Sequence, residues 1–486
     1  MSQNIKKKNI YNKFITFVLG SLLILMLFII ASASSELTTY NSRFGVVDII
    51  FIIFSVTFVV GIYFAKKRDI SNKKLVIIIS IVGLLLRLAY CLTINSVPIS
   101  DFAVMYETGG SILEGDLSML WGTGYIERFP HISIPTLYYA VMRGLFSNPM
   151  QAIKIVNAIA STCSIFIVYK IVKILFNDKK ALIAAVITAL YPPLIVYTAV
   201  YTTENIAIPL FLAGIYYFIL YMKGIKDFKS LILAGILVSV GNLFRMAGII
   251  LIAAFVLYSI ASFEANLKKK ILSIALVILS FVIPLVTVSF TLKYYGVTEY
   301  HLWKGREPNI TNILKGTNIE YKGRWNLDDA SIPEECNFDY DKIQERCKEI
   351  IWERLTTTPF SEQFKFLTYK YSSQWCSGDY SGPYWAEHSI ENEEMPYKYS
   401  EDGEWFGQLF YLILLALSYV GLLNFNKVKK DRMVSLFYYI FCGYSIFYLI
   451  TENQARYAFT VCWIFVIMAI VGIDFIEKLN FRKDHK

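Results

Sequence analysis

Apolar runs of about 20 residues recur along the whole of this 486-residue chain, and they constrain its fold more than any motif does. A helix of that length crosses a bilayer core of roughly 30 Å. Hydrophobic residues make up 56% of the sequence, more than the roughly 45–50% that is usual in soluble domains. The sequence therefore predicts an all-α polytopic membrane protein.

Basic clusters alternate with these apolar runs and predict a topology. Short loops rich in Lys and Arg stay on the cytoplasmic side, so the chain must cross outward and return between each pair of clusters. The clusters are Lys6–Lys8, 66–74, 179–180, 223–229, 268–270, 427–432 and 482–486. Twelve spans with both termini in the cytoplasm satisfy this rule: 14–33, 46–65, 75–94, 150–176, 181–199, 204–222, 229–245, 247–262, 271–292, 406–424, 433–451 and 456–476.

Two of these assignments have alternatives. The first apolar run follows a basic start, as a secretory signal does, but a cleaved signal has a shorter apolar core, so we interpret 14–33 as a retained span. The stretch 229–262 could form one long tilted helix, but every later basic cluster would then lie outside. We therefore predict a hairpin that turns between Asn242 and Gly248, with Arg245 near the outer surface.

The topology divides the chain into four parts. They are an N-terminal two-span part (1–74), a core membrane module (75–292) with its first outer segment (95–149), a second outer segment (293–405) and a C-terminal three-span module (406–486). Within the first outer segment, Ile132–Phe146 is typical of a helix lying in the interface.

The second outer segment is acidic, whereas the rest of the chain is basic. Its 113 residues hold 21 Asp and Glu and 13 Lys and Arg, a net charge of −8, which leaves +17 for the remainder. Cytoplasmic loops explain that basic excess, so nucleic-acid binding is not needed to account for it. Apolar spacing predicts a helix over Tyr340–Leu355 and a second from Phe360 to Trp375, followed by a loop over Gly378–Glu404.

Cysteine and tryptophan leave alternatives open. Among Cys336, Cys347 and Cys376, two could form a disulfide in an oxidising exterior, or all three could stay reduced. Seven of the eight Trp lie in the outer segments. We expect those far along the second segment, such as Trp325, Trp352 and Trp385, to form a core, the alternative being aromatic faces for sugars.

Carboxylates and arginines are predicted to gather at the outer face of the membrane. The candidates are Asp101, the run Glu127–His131, the run Tyr197–Glu204, Arg245, His301 and the last outer turn with Arg456 and Tyr457. Each has a plainer interpretation: Arg128 and Arg456 could be interfacial arginines, and Glu204 or Asp101 could cap a helix. Their common level in the membrane favours a site.

The chemistry of that set indicates group transfer from a phosphate. Arginine binds phosphate oxygens with two parallel hydrogen bonds. A carboxylate can act as a general base toward a hydroxyl, or as a ligand of a hard divalent cation.

The order of these elements resembles the polytopic lipid-linked glycosyltransferases of the GT-C superfamily. Within that superfamily, the chain resembles the branch near the bacterial protein O-mannosyltransferases and the lipid A aminoarabinose transferases. This branch is similar to glycosyltransferase family 39. The resemblance lies in Ser100-Asp101 with Tyr106 and 113–115, in Tyr125–Pro130, in Pro192-Pro193 through Glu204, in 242–245, in Trp352 to Trp375 and in Arg456-Tyr457. Phe102 stands where many relatives carry a second acid.

The resemblance implies roles for these residues. Asp101 would be the catalytic base or the acceptor-side carboxylate, and Glu204 is a second catalytic candidate. Arg128, Arg245 and Arg456, with Tyr457, would bind the lipid phosphate. Glu127 and His301 are candidates for a divalent metal (Mg, Mn or Zn).

The predicted function is an inverting glycosyltransferase of the cell membrane. Its partners would be a polyprenyl-phosphate sugar donor, an acceptor that is an envelope glycan, lipid or protein, and membrane lipids. The alternatives are a transporter or flippase for an amphiphilic solute, which Arg87 in the third span favours, and a non-catalytic scaffold.

Overall fold

A computed structural model describes residues 2–40, 44–387 and 399–483, and these residues form α-helices joined by short turns and loops, with no strands. The helices are α1 (Ser2–Tyr40), α2 (Val46–Lys67), α3 (Asn72–Thr93), α4 (Asp101–Leu113), α5 (Tyr125–Arg128), α6 (Ser133–Leu145), α7 (Pro149–Leu175), α8 (Asp178–Leu190), α9 (Pro193–Val196), α10 (Glu204–Met222), α11 (Phe228–Phe244), α12 (Gly248–Ala261), α13 (Leu267–Tyr294), α14 (Ile310–Thr317), α15 (Leu327–Glu335), α16 (Tyr340–Thr357), α17 (Phe360–Trp375), α18 (Gly382–Glu387), α19 (Tyr399–Asp402), α20 (Glu404–Leu422), α21 (Phe425–Lys430), α22 (Ser435–Ile450), α23 (Ala455–Ala458) and α24 (Ile464–Lys483). The all-α fold class is confirmed.

Long apolar helices coincide with ten of the twelve predicted spans. Eight helices of the described residues are individually long and apolar enough to cross a bilayer, and two bent pairs raise that number to ten. The remaining two predicted spans are α11 and α12, which have 17 and 14 residues. The chain is a multi-pass membrane protein, and the count of twelve stays a prediction.

The stretch 229–262 is broken where the sequence predicts a turn. Helix α11 ends at Phe244, Arg245 is extended (φ −146°, ψ 114°), and α12 begins at Gly248. Asn242 Oδ1 accepts a hydrogen bond from the Gly248 N–H at 2.9 Å, which closes the turn. The single continuous helix is therefore wrong, and the break places Arg245 at the end of a helix.

The bend between α8 and α9, which is 58°, is stabilised by Arg87 of α3. Leu190 ends α8 and is followed by Tyr191 and two prolines, which cannot donate backbone hydrogen bonds. Arg87 donates to the Thr188 and Ala189 carbonyls (3.2 and 3.1 Å), to the Gly83 carbonyl (2.9 Å) and to Ser161 Oγ (2.9 Å). Each of the three guanidinium nitrogens of Arg87 therefore has a structural partner. Arg87 thus gives no support to the alternative function of a transporter.

Removing this guanidinium is expected to destabilise the membrane module. Arg87→Met leaves the buried carbonyl oxygens of Thr188 and Ala189 without the donors that Arg87 supplies, and hydrogen bonds to charged groups each contribute about 1.5–3 kcal/mol. We expect a loss of several degrees in the melting temperature of the detergent-solubilised protein. Arg68→Met, at the exposed end of α2, is the matched control and should melt like the wild type.

Helices α14–α16 fold around a small core of their own. Leu314, Ile332, Ile343 and Cys347 are buried together, and Arg354 pairs with Asp329 at 2.7 Å. The two predicted helices occur at Tyr340–Thr357 and Phe360–Trp375. The predicted loop 378–404 is partly wrong, since it contains α18 and α19; His388–Lys398 lie outside the described residues.

The tryptophan prediction is wrong for two of its three residues, and the disulfide does not form. Trp325 is 56% exposed and Trp352 is 70% exposed, so neither belongs to a core. Trp385 is half-buried and packs against the main hydrophobic core. The seven cysteines, all within the described residues, are free thiols, and Cys336 packs beside the buried Cys347 without bonding to it.

Candidate functional site

Asp101 stands at the first position of α4, where two contacts orient its carboxylate. Oδ1 accepts the Tyr125 hydroxyl at 2.7 Å, and Oδ2 lies 3.7 Å from Nη2 of Arg456. The side chain is 46% exposed. The carboxylate is therefore held in place and still open to a ligand, as a general base requires.

Arg456 is a buried arginine whose hydrogen-bonding capacity is largely unused. It is 4% exposed, and its guanidinium lies over the rings of Trp385 (4.3 Å) and Phe102 (4.9 Å). Within the described residues its Nε and Nη1 donate no hydrogen bond, and its ion pair with Asp101 is long. A buried charge without hydrogen bonds is costly, so this fork is suited to an anion with several acceptor oxygens, such as a phosphate.

A second arginine extends the positive charge. Nε of Arg245 lies 3.3 Å from Oε1 of Glu204, and its guanidinium lies over the Tyr457 ring at 5.1 Å. The Tyr457 hydroxyl donates to Glu452 at 3.1 Å. Glu204 is buried and also accepts the Thr202 hydroxyl, so the Glu204 side chain forms part of this network besides standing first in α10.

Five predicted site residues therefore belong to one group, which we call the acid–arginine cluster: Asp101, Glu204, Arg245, Arg456 and Tyr457. His131 lies close enough to feel its charges: burial and Arg245 lower the pKa of His131 to about 4, with Asp101 opposing the shift. His131 is therefore neutral near pH 7 and adds no positive charge.

Glu127 is buried and makes none of the contacts of this cluster. The backbone N–H groups of Glu299 and Tyr300 lie near its carboxylate, but neither oxygen accepts a hydrogen bond of good geometry from the described residues. Burial, and then the charge of Glu299, raise the pKa of Glu127 to about 7, whereas these two N–H groups and the Arg306 charge oppose the shift. Part of the population is therefore protonated at neutral pH.

The stability of the protein should depend on the charge of this side chain. Because the folded-state pKa lies above the unfolded value, the contribution of Glu127 is most favourable below about pH 4.5, is lost as the pH rises to about 7, and is constant above. We expect Glu127→Gln to raise the unfolding free energy at pH 8, by up to about 3 kcal/mol, and to change it little at pH 5. Melting curves at the two pH values test this, with the exposed carboxylate variant Glu114→Gln as control; equal effects at both pH values would contradict it.

Arg128 and His301 have other partners. Arg128 Nη2 pairs with Glu307 at 2.8 Å, and its guanidinium lies over the Phe338 ring. Arg128 thus joins α5 to residues 293–405. These contacts do not fit its predicted role of binding the lipid phosphate. His301 stacks on Trp303 at 4.7 Å and shares a hydrogen bond with Ser289.

The donor set for a metal is incomplete in the part of the chain that the structure describes. No group of three or more His, Cys, Asp or Glu side chains there could hold a metal ion. Glu127 offers two unpaired oxygens, but His301 makes its contacts elsewhere. The residues do not fit a three-ligand site, so we derive no step through a metal, and metal dependence stays a prediction.

Three residues around the cluster were not among the predicted site residues. Tyr125 and Trp385 touch Asp101 and Arg456, as described above. Lys370 is fully buried on α17, and its Nζ donates to the Gly316 and Leu449 carbonyls at 2.6 and 2.9 Å. Burial lowers the pKa of Lys370 to about 8. The signal that could have identified Lys370 is the presence of a lysine on a helix face whose other residues are buried.

Helix α17 and residues 316–323 hold the turn that precedes Arg456. Gln374 donates to the Gln454 carbonyl at 2.7 Å, and Asn453 bonds to Ser373 and to the Gly323 carbonyl, each at 2.7 Å. A Cβ on Gly316 would stand 2.5 Å from the Ile450 oxygen, so only glycine permits this approach. We call these contacts, with those of Lys370, the α17 clamp.

Comparison with solved structures shows which fold this is. The apo oligosaccharyltransferase of Archaeoglobus fulgidus aligns with a TM-score of 0.50 and 12% identity over 86% of this chain and 52% of its own. The same archaeal enzyme, AglB, in complex with an inhibitory peptide and a dolichol-phosphate gives a TM-score of 0.48 and 13% identity over 86% and 52%. ArnT from Cupriavidus metallidurans bound to undecaprenyl phosphate gives a TM-score of 0.36 and 12% identity over 83% and 78%. The chain spans about half the length of the oligosaccharyltransferase.

The chain therefore shares the polytopic all-α fold of the apo oligosaccharyltransferase, as the sequence predicted. Residues 135–288 match the family model described as dolichyl-phosphate-mannose-protein mannosyltransferase. That segment contains Glu204 and Arg245 but neither Asp101 nor Arg456. No curated protein matches the sequence.

Proposed function

We propose that the protein transfers one sugar from a polyprenyl-phosphate carrier to an acceptor hydroxyl at the outer face of the membrane. The observation that carries this proposal is the pairing of a half-exposed carboxylate, Asp101, with a buried arginine, Arg456, that has unused hydrogen-bond donors. The first suits deprotonation of a hydroxyl, and the second suits a departing phosphate.

In this mechanism, the donor phosphate binds Nε and Nη1 of Arg456, with the charge of Arg245 beside it. Its binding competes with the long Arg456–Asp101 contact, so Asp101 is released to face the acceptor. As the acceptor oxygen forms its bond to the anomeric carbon, Asp101 takes the hydroxyl proton. The bond from that carbon to the phosphate oxygen breaks, and the lipid phosphate leaves with the electron pair.

Transition-state stabilisation in this scheme is electrostatic. Negative charge develops on the leaving phosphate oxygen, where the buried Arg456 and the partly exposed Arg245 supply positive charge. Trp385 and Phe102 cover the guanidinium of Arg456 and limit its movement. The family model that matches residues 135–288 is named for a dolichyl-phosphate sugar donor, and this supports a lipid phosphate as leaving group.

Inversion at the anomeric carbon follows from a single displacement. Among the described residues, Asp101 is the carboxylate that pairs with Arg456, whereas Glu204 is engaged by Arg245. In this proposal the acceptor therefore attacks directly, and no enzyme-bound sugar is formed. The outward placement of the cluster rests on the Lys and Arg pattern of the loops, with both chain termini in the cytoplasm.

Reconstitution tests the proposal. We expect the purified protein in liposomes to convert a radiolabelled polyprenyl-phosphate sugar to free lipid phosphate and a labelled product when envelope extract supplies acceptors, without an ion gradient. Movement of intact donor across the bilayer with no product would instead support the transporter. No observation on the described residues favours that alternative, since Arg87 is fully engaged in helix packing.

A further inference from the structure

A polar cavity of about 500 Å³ lies beside the acid–arginine cluster, and the mechanism above does not use it. One wall is the end of α1, with Ser35 and Glu36, and another is α17, with Ser372. Residues 376–384 form the third wall. Its size falls within the roughly 300–1,000 Å³ of small-molecule sites.

Hydroxyl groups dominate the lining of this cavity. Six serines and three tyrosines contribute to it, together with the carboxylates of Glu36, Asp379 and Glu404 and the guanidinium of Arg324. Hydroxyl groups both donate and accept hydrogen bonds, and carboxylates accept them. Such a lining matches a ligand that carries many hydroxyls of its own.

Asp379 has an acceptor oxygen to offer. The residue is 4% exposed, and its Oδ1 accepts both the Ser377 hydroxyl and the Ser381 N–H. Its Oδ2 accepts no hydrogen bond from the described residues. Burial raises the pKa of Asp379, with Glu36 adding to the shift and the two hydrogen bonds at Oδ1 opposing it. A hydrogen bond donated to Oδ2 would further stabilise the charged carboxylate.

The cavity wall is one residue away from the donor site in two chain segments. Ala455 lines the cavity and is followed in the chain by Arg456, while Pro383 and Tyr384 line it and are followed by Trp385. Trp385 and Arg456 are in contact at 4.3 Å. The wall that these two segments form therefore separates the cavity from the donor site.

We propose that this cavity is an acceptor subsite for a glycan, in which the α1 wall, the α17 wall and Asp379 hold sugar units next to the one that receives the transferred sugar. This rests on the proposed function. It gives α1, part of the N-terminal two-span part, a role in choosing the acceptor.

Binding and transfer are measured separately to test this. The probe is a set of tritiated oligosaccharides of three to six hexoses released from envelope glycan, with equilibrium binding to the purified full chain as the first readout. Ser372→Trp fills the cavity from α17 and Ser35→Phe fills it from α1. We expect each to weaken oligosaccharide binding at least tenfold and to raise the acceptor KM similarly, with the donor KM unchanged.

Ser361→Trp is the matched control, because Ser361 is exposed in the first turn of the same helix, and it should bind the oligosaccharides like the wild type. Either filled variant that keeps its melting temperature and still binds them normally overturns the subsite. Failure of the wild type to bind any of them overturns the glycan assignment. If the wild type binds them and the filled variants do not, yet no protein transfers sugar, the cavity stands and the proposed function fails.

Discussion

Asp101→Asn is expected to lower the rate of sugar transfer about 10²–10⁴-fold, the usual contribution of a general base. Asparagine keeps the shape of the side chain, and its carbonyl oxygen can still accept the Tyr125 hydroxyl now bonded to Oδ1. It cannot take a proton from the acceptor. The donor KM should change little, since the phosphate binds the arginines.

Initial rates with the radiolabelled donor measure this effect. Asp116→Asn is the matched control: it lies in the same outer segment, is exposed, and its carboxylate bonds to the nearby Ser118 N–H. It should transfer at the wild-type rate. Full activity of Asp101→Asn in a protein with normal melting behaviour would exclude Asp101 as the base.

Arg456→Met is expected to weaken binding of the lipid phosphate about 10–100-fold. The variant loses two charge-assisted hydrogen bonds to the phosphate, and such bonds contribute about 1.5–3 kcal/mol each, part of which is offset because the buried guanidinium is itself costly. The affinity of Arg456→Lys should lie between those of the wild type and Arg456→Met, because lysine keeps the positive charge but lacks the two parallel donors of the guanidinium. The measurement is equilibrium binding of undecaprenyl phosphate to the detergent-solubilised protein.

Arg346→Met provides the control for this series, since Arg346 is an exposed arginine paired with Glu349 on α16. Its affinity for undecaprenyl phosphate should equal that of the wild type. If Arg456→Met bound the lipid phosphate normally, the donor site would have to lie elsewhere.

Much of the membrane fold could be predicted from the sequence because two simple rules apply along the whole chain. Apolar length predicts the helices, and the orientation that the Lys and Arg clusters give them stays a prediction. The break at Arg245 was predictable for the same reason: without it, the later basic clusters would lie on the wrong side. The packing of α1 and α17 against each other involves residues hundreds of positions apart, and no local pattern encodes it.

The site was predicted in part. Asp101, Arg245 and Arg456 do meet, as their shared membrane level suggested. Arg128 was grouped with them because it is next to Glu127, but neighbouring residues of a helix point about 100° apart, and Arg128 turns to Glu307. Trp385 could not be found in this way, because its partner lies 71 positions further along and aromatic residues are common in both outer segments.

The α17 clamp has a mechanical consequence. The turn that carries Arg456 is bonded to α17 and to Gly316 and Gly323 of the neighbouring segment, so a displacement of α17 either breaks several hydrogen bonds at once or carries that turn with it. Because α17 also forms a wall of the polar cavity, any ligand that shifts this helix would reposition the guanidinium at the other end of the turn.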